Sequence, residues 1–274
     1  MNSEYRMLIN GELCEASSKE TMEVVNPANG STVGYAPKCG PEEVNRAAEA
    51  ARDAAPAWAE KSPTEKAALF FRMAELLRKH REEWAQLETM QYGGPIFKTM
   101  NFDMVFDAEH FEFMAGVGRA VTGKSLPVGP QAISMTIRQP IGVVGLITPW
   151  NFPLVTAISK ITPALMMGNT AVVKPASCAP LTVLKLGELA VEAGFPPGVL
   201  NILSGPGSSV GEAIVNHPYV SKINFTGDSE TGKRILSLAS AAVKPVACEL
   251  GGLPNPLFIG LNAKVQCRLA SHCG

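Results

Sequence analysis

The second half of the chain alternates between short, continuous apolar runs and longer amphipathic stretches. We interpret the apolar runs as strands at residues 141–147, 170–174, 199–203 and 220–226, and the amphipathic stretches as helices at 154–167, 180–193, 209–216 and 230–240. Continuous β-branched strands separated by helices are typical of a parallel sheet covered on both faces. The pattern predicts an α/β fold with a Rossmann-like sheet, in which the carboxyl ends of the strands share one edge.

A different pattern precedes this sheet. The first forty residues mix short apolar runs with turn residues, which indicates edge strands and hairpins. One helix is predicted from Pro41, and a longer one from a capping box at Ser62 and Glu65 to Gly93. A third helix carries apolar residues at helical spacing, which we interpret as core: Phe102, Val105, Phe106, Phe113 and Met114.

These patterns divide the chain into four segments. Residues 1–120 form amino-terminal strands and helices, and 121–140 form a β-arm in which 132–138 alternate like a half-exposed strand. Residues 141–252 form the Rossmann-like core, and 253–274 form a tail without a clear pattern.

Composition narrows the classes of partner. The 274 residues are 46% hydrophobic and 18% charged, with a formal net charge of −1, which is typical of a globular protein that binds neither nucleic acid nor an anionic membrane. No signal pattern begins the chain, and Pro149, Asn151 and Pro153 interrupt its most apolar stretch. We therefore expect a cytoplasmic protein.

The six cysteines favour reduced thiols. They contain no CxxC pair and are too dilute for a disulfide framework. Cys267, His272 and Cys273 alone make a weak zinc set, so we predict no metal site.

An asparagine follows the first strand of the core in the run Thr148-Pro-Trp-Asn-Phe-Pro153. Two prolines hold Asn151 in a restricted backbone, from which its amide could stabilise an oxyanion. The alternative, a cap for the following helix, has equal weight on this evidence.

Candidate nucleotide contacts follow the other strands. Lys174 could reach a phosphate or a ribose hydroxyl, although a solvated loop lysine is the simpler interpretation of this motif alone. Gly207 and Gly211 permit close approach of a ligand, but their spacing departs from GxGxxG. Amides around residues 227–229 begin a helix and could bind a pyrophosphate, whereas Asp228 would cap that helix and add negative charge.

A carboxylate lies between apolar residues and a glycine turn in Ala247-Cys-Glu-Leu-Gly-Gly252. A partly desolvated Glu249 would suit general-base chemistry, and the alternative is an exposed acid at a strand end. Cys248 would point to the opposite face of the strand.

The order of these motifs resembles the aldehyde dehydrogenase superfamily as far as about residue 259. The similar motifs are Pro149-Trp-Asn-Phe-Pro153, Gly168-Asn-Thr, Lys174-Pro-Ala, Gly207-xxx-Gly211, Phe225-Thr-Gly227 and Glu249-Leu-Gly-Gly252. The resemblance implies NAD(P)-dependent oxidation of an aldehyde to a carboxylic acid. It also implies a homo-oligomer, with the β-arm between subunits.

The resemblance assigns roles by position. Asn151 would be the oxyanion donor, Glu249 the base, and Lys160 a lysine of uncertain role near the substrate. The NAD or NADP site would be lined by Ile147, Thr148, Pro149, Trp150, Lys174, Ser177, Gly207, Gly211, Phe225, Thr226, Gly227, Asp228, Thr231 and Leu250.

Two positions depart from the family pattern. Many NAD-preferring members have glutamate where Ser177 stands, so its absence makes room for the 2′-phosphate of NADP. Members often have serine where Asp228 stands, which weakens the expectation of pyrophosphate contacts there.

The family's nucleophilic cysteine belongs to a Gly-Gln-x-Cys motif well after Glu-Leu-Gly-Gly. Residues 253–274 contain no such motif, and neither Cys267 nor Cys273 has a setting that would activate a thiol. We expect a truncated form that is inactive alone, and a nucleotide-binding fragment is the alternative function. A third, weaker interpretation is a fragment that associates through an uncovered interface.

Overall fold

The computed structural model describes residues 5–251, and its largest element is a mostly parallel sheet of seven strands. The strands lie in the order β11 (Val246–Leu250), β10 (Val220–Gly227), β7 (Val143–Ile147), β8 (Thr170–Lys174), β9 (Leu200–Ile202), β1 (Met7–Ile9) and β2 (Glu12–Cys14). Pairing is parallel from β11 to β9, and β1 adds antiparallel to β9 and to β2. The predicted α/β fold and its four core strands are confirmed.

Nine α-helices occur among residues 5–251. They are α1 (Pro41–Glu60), α2 (Pro63–Lys79), α3 (Arg81–Tyr92), α4 (Ile96–Lys98), α5 (Met104–Val117), α6 (Pro153–Met166), α7 (Leu181–Ala193), α8 (Glu212–Asn216) and α9 (Ser229–Ser240). Two π-helical turns, Thr99–Asp103 and Gly207–Gly211, lead into α5 and α8. The first three residues of the helix predicted at 209–216 are therefore π-helical, and the other five form α8.

Two hairpins lie outside the main sheet. One pairs β3 (Thr21–Val25) with β4 (Thr32–Pro37), as the turn-rich amino terminus predicted. The other pairs β5 (Lys124–Gly129) with β6 (Ala132–Thr136), and every residue of its strands is exposed. The half-exposed pattern expected for 132–138 is therefore wrong, because both faces of this two-stranded ribbon meet solvent.

The helix predicted to run from residue 63 to Gly93 is two helices. The Ser62 hydroxyl accepts from the amide of Glu65, and the Glu65 carboxylate accepts from the amide of Ser62, so the capping box is confirmed. The backbone leaves helical geometry at His80, between α2 and α3, and Gly93 ends α3 with a φ of 82°. Apolar periodicity runs through the break because both helices bury the same side.

The aromatic residues predicted as core around α5 are exposed. Phe102, Phe106 and Phe113 are 61%, 41% and 64% exposed, and of that predicted set only Met114 is buried. The buried face of α5 is formed instead by Met104, Ala108, Phe111 and Ala115. The prediction failed because helical spacing identifies a row of apolar residues but does not show which face of the helix is buried. The face that is buried contains small alanines, which contribute little to an apolar pattern.

The site lies where the core strands end. α6 and α7 pack on β7, β8 and β9, while α9 packs on β10 and β11. No helix within residues 5–251 is long and apolar enough to cross a membrane. The segment boundaries at residues 120, 140 and 252 stay predictions, and the tail at 253–274 lies outside the described residues.

The corrected orientation of α5 can be tested with a matched pair of substitutions. Phe111→Ala should lower the free energy of unfolding by about 3–5 kcal/mol, because it empties a buried site. Phe113→Ala, two residues away on the exposed face, should change it by less than about 0.5 kcal/mol. Urea denaturation of both variants measures the difference, and a comparable loss in Phe113→Ala would contradict this orientation.

Candidate functional site

A cavity of about 1050 Å³ opens at the carboxyl ends of β7, β8, β10 and β11. All of the residues predicted for catalysis or cofactor contact line it, namely Ile147, Thr148, Pro149, Trp150, Asn151, Lys174, Ser177, Gly207, Gly211, Phe225, Thr226, Gly227, Asp228, Thr231, Glu249 and Leu250. The structure thus brings together residues that are far apart in the sequence. Their individual roles stay predictions.

Parallel register explains this convergence. Ile147 is paired with Lys174 on one side and with Phe225 on the other, and Thr226 is paired with Glu249. The last residues of these strands therefore lie at the same edge of the sheet. The loops that follow then carry the remaining residues over the strand ends.

Seven lining residues were missed by the sequence analysis: Ala176, Ser208, Glu212, Arg234, Ile235, Leu238 and Gly251. Three of them follow the predicted Thr231 at helical spacing along α9, at 234, 235 and 238. That spacing was the available signal, because one face of a helix that meets a site contributes several residues to it. Across the cavity mouth, Arg234 donates to Glu212 of α8 at 2.7 Å.

Lys174 is almost fully buried at the end of β8. Its Nζ donates to the carbonyl of Pro175 at 3.0 Å, and burial lowers its pKa to about 8. Three residues further along the chain, the hydroxyl of Ser177 donates to the carbonyl of Gly205 at 2.8 Å, which ties the loop after β8 to the loop after β9. The simpler interpretation of Lys174 as a solvated loop residue is therefore wrong.

Asn151 is exposed, and it does not cap α6. The first helical residue is Pro153. The backbone amide of Leu154, the next residue, donates to the carboxylate of Glu88 at 3.0 Å. The alternative role of Asn151, as a cap for the following helix, is therefore wrong. Its amide lies at the cavity wall instead.

In the described part of the chain, Glu249 is exposed on β11. The predicted desolvation of its carboxylate is therefore wrong. Its neighbour Cys248 is half-buried against the core and is absent from the cavity lining, in agreement with strand alternation. Lys160 is buried away from the cavity lining and donates to the side chain of Asn224.

The start of α9 combines a glycine with a capping carboxylate. Added to Gly227, a Cβ would lie 2.4 Å from the ring of Phe225, so a larger residue there would have to displace this buried ring. Asp228 accepts from the amide of Thr231 at 2.8 Å. Partial burial opposes ionisation of Asp228, but hydrogen bonds from backbone amides hold its pKa below the usual range. A ligand anion at this helix start would therefore meet a carboxylate.

The chain's relatives agree on one family. The aldehyde dehydrogenase family matches residues 14–270. The chain belongs to the aldehyde dehydrogenase family. The phenylacetaldehyde dehydrogenase of Pseudomonas fluorescens is 42% identical over 263 residues, which cover 93% of this chain and 52% of that protein.

Two solved structures share the fold. An NAD⁺ complex of the Bacillus cereus enzyme superposes with a TM-score of 0.89 at 39% identity, over 91% of this chain and 51% of that one. An NADP-dependent enzyme from E. coli gives 0.87 at 38% identity, over 91% and 52%. The chain spans about half the length of the relatives that it matches.

Candidate metal ligands are not clustered. Among residues 5–251 no group of three or more histidine, cysteine, aspartate or glutamate side chains is arranged to hold a metal ion. Cys267, His272 and Cys273 lie outside the described residues.

The burial of Lys174 predicts a pH dependence of stability. Between its folded pKa of about 8 and its ordinary value of 10.5, the unfolded chain binds a proton that the folded chain does not. The free energy of unfolding should therefore rise with pH through this window, by an amount on the order of 3 kcal/mol.

Lys174→Met should lose that rise. Urea denaturation gives the free energy of unfolding of the wild type and the variant at about pH 7 and pH 10. The increase between the two pH values should be seen in the wild type and lost in the variant. Lys124→Met, on the exposed β5 strand, is the control and should follow the wild type at both values. Equal pH dependence in wild type and Lys174→Met would show that Lys174 is not desolvated.

Proposed function

We propose that this chain binds NAD(P) in the cavity and contributes the cofactor side of an enzyme that oxidises an aldehyde to a carboxylic acid. The observation that carries the proposal is the meeting of Asn151, Lys174, Gly227 and Glu249 in one cavity. Membership of the aldehyde dehydrogenase family, and the cofactors bound or used by the B. cereus and E. coli proteins, support it.

Features of the cavity fit a dinucleotide. Thr148 lines the cavity, and its buried hydroxyl has no hydrogen-bond partner among the described residues. A Cβ at Gly207 would meet nothing within 4 Å, which leaves the backbone open to close approach. Ile235 and Leu238 offer an apolar wall to a planar base, while Lys174 offers a cation.

The catalytic roles follow from the type and position of each group. The nicotinamide ring, when bound, accepts a hydride from the substrate carbon. The amide of Asn151 would donate to the carbonyl oxygen as negative charge develops on it. The carboxylate of Glu249, exposed at the cavity, would take a proton from the attacking group.

A nucleotide-binding chain without turnover is the second candidate function. The observation in its favour is that no cysteine of residues 5–251 lines the cavity, so the described part supplies no thiol nucleophile to the proposed carbonyl site.

Assembly and location stay predictions. The β5–β6 hairpin is exposed along both strands and offers unpaired edges, which supports the proposed homo-oligomer. The cytoplasmic location stays the expectation drawn from the sequence.

Cofactor selectivity tests the role of Ser177. Ser177 is neutral and lines the same cavity as Lys174, so it tolerates a 2′-phosphate, and we expect the chain to bind NAD and NADP with comparable affinity. Ser177→Glu should weaken NADP binding about tenfold more than NAD binding, because a carboxylate at this place repels the phosphate. Calorimetric titration with both nucleotides measures the ratio.

Ser177→Ala is the matched control, since it removes the bond to Gly205 without adding charge and should leave the ratio unchanged. The proposal for Ser177 fails if the glutamate variant keeps the wild-type ratio. Failure of both nucleotides to bind the wild type would contradict the proposed function itself.

Turnover separates the two candidate functions. We expect the 274-residue chain to bind nucleotide but to form no NAD(P)H from aldehydes, because no thiol among residues 5–251 lines the cavity. In a longer protein that supplies the nucleophile, Glu249→Gln should lower kcat by about 10²- to 10⁴-fold through loss of the base. Absorbance of NAD(P)H at a series of aldehyde concentrations measures both.

Glu230→Gln, at an exposed glutamate paired with Lys233, should leave turnover unchanged. Aldehyde-dependent NAD(P)H formation by the 274-residue chain, abolished by Glu249→Gln, would instead assign the full reaction to this chain.

A further inference from the structure

Two helices begin at the loops that line the cavity, and neither has a side-chain cap of its own. α6 follows the loop with Asn151, and its N-cap residue, Phe152, provides no side-chain acceptor. α7 follows the loop with Ser177, and its N-cap residue, Pro180, provides none either. The first amides of a helix need an acceptor, most of all where they are buried.

Helix α3 supplies both acceptors from one buried turn. Glu88 accepts from the amide of Leu154 at 3.0 Å, and Gln91 accepts from the amide of Leu181 at 2.8 Å. The side chains of Glu88 and Gln91 are 0% and 2% exposed. A carboxylate is favoured at the amino terminus of α6 because the helix dipole is positive there.

The two acceptors are locked to each other. The amide nitrogen of Gln91 donates to Glu88 at 2.6 Å, and the hydroxyl of Thr182 donates to the same carboxylate at 2.6 Å. Both carboxylate oxygens of Glu88 therefore accept hydrogen bonds. Neither Glu88 nor Gln91 can change its rotamer or its partner without leaving a buried polar group unpaired. Two helix starts are thus held to one rigid point.

A second contact holds the same loop from its other side. The ammonium of Lys98 lies 3.8 Å from the ring centroid of Phe152, and two bonds to Asp103 fix that ammonium. Phe152 is the residue after Asn151, so the backbone of the asparagine is restrained at its carboxyl side by both α6 and Lys98.

We propose that Glu88 and Gln91 are positioning residues that set the loops of Asn151 and Ser177 against each other across the cavity. Neither residue lines the cavity, and both act through their hydrogen bonds to Leu154, Leu181 and Thr182. The consequence for nucleotide affinity rests on the proposed function, whereas the consequence for the two loops does not.

Hydrogen–deuterium exchange of the 274-residue chain, followed by mass spectrometry, tests the proposal directly. Glu88→Ala should speed exchange in peptides spanning residues 148–158 and 176–186, because it frees Leu154 and releases Gln91 and Thr182. Gln91→Leu should speed exchange only in 176–186. Glu88→Gln keeps an oxygen for Leu154 and should restore 148–158 to the wild-type rate.

Glu43→Ala is the matched control. Glu43 is also a buried carboxylate at a helix start, where it accepts from the amides of Gly40 and Ser17, but it is not part of the cavity lining. Its loss should destabilise the fold while leaving both peptides at the wild-type rate. Affinity for NAD, measured by calorimetry, should fall about tenfold in Glu88→Ala and remain unchanged in Glu43→Ala.

Unchanged exchange at 148–158 in folded Glu88→Ala, or equal acceleration by Glu43→Ala, would overturn the proposal. Should Glu88→Ala fail to fold, Gln91→Leu decides, and unchanged exchange at 176–186 in that variant would overturn it. Failure of the wild type to bind NAD would refute the proposed function. The positioning role would then be tested by hydrogen exchange alone.

Discussion

Parallel pairing between β7 and its two neighbours is the constraint on which the cavity depends. Its register places Ile147 between Lys174 and Phe225, and the next strand places Glu249 beside Thr226. A slip of one residue would turn each of these side chains to the other face of the sheet. β7 and β8 are buried along their whole length and resist such a slip, because either face would lose packing.

That constraint also explains which parts could be predicted from the sequence. Strands apolar throughout and bounded by glycine and proline carry a strong signal, and the residues directly after them must lie at one edge. The residues after β7, β8 and β10 were therefore found, together with Glu249 on β11. Arg234 and Leu238 were missed because they belong to a helix, whose direction relative to the cavity depends on packing rather than on strand ends.

The same limit accounts for the wrong predictions. The orientation of α5, the break at His80 and the exposure of Glu249 depend on which surfaces meet, and sequence periodicity does not state that. Phe113 and Phe111 differ by two positions and have equal intrinsic hydrophobicity, yet only one is covered. Local pattern predicts elements well, whereas exposure is a property of the assembled fold.

Buried polar groups show how the fold accepts electrostatic cost near the cavity. Lys174 and Glu88 are both desolvated, but each has oxygen or nitrogen partners that recover part of the cost. Asp107, deeper in the same region, has no hydrogen-bond partner among residues 5–251, and burial, with repulsion from Glu88 and Asp103, raises its pKa well above the usual range. Burial also raises the pKa of Glu88, and the hydrogen bonds that its carboxylate accepts from Thr182, Leu154 and Gln91 oppose that rise. The start of α6 therefore depends on a buried acid whose hydrogen bonds offset part of the cost of its burial.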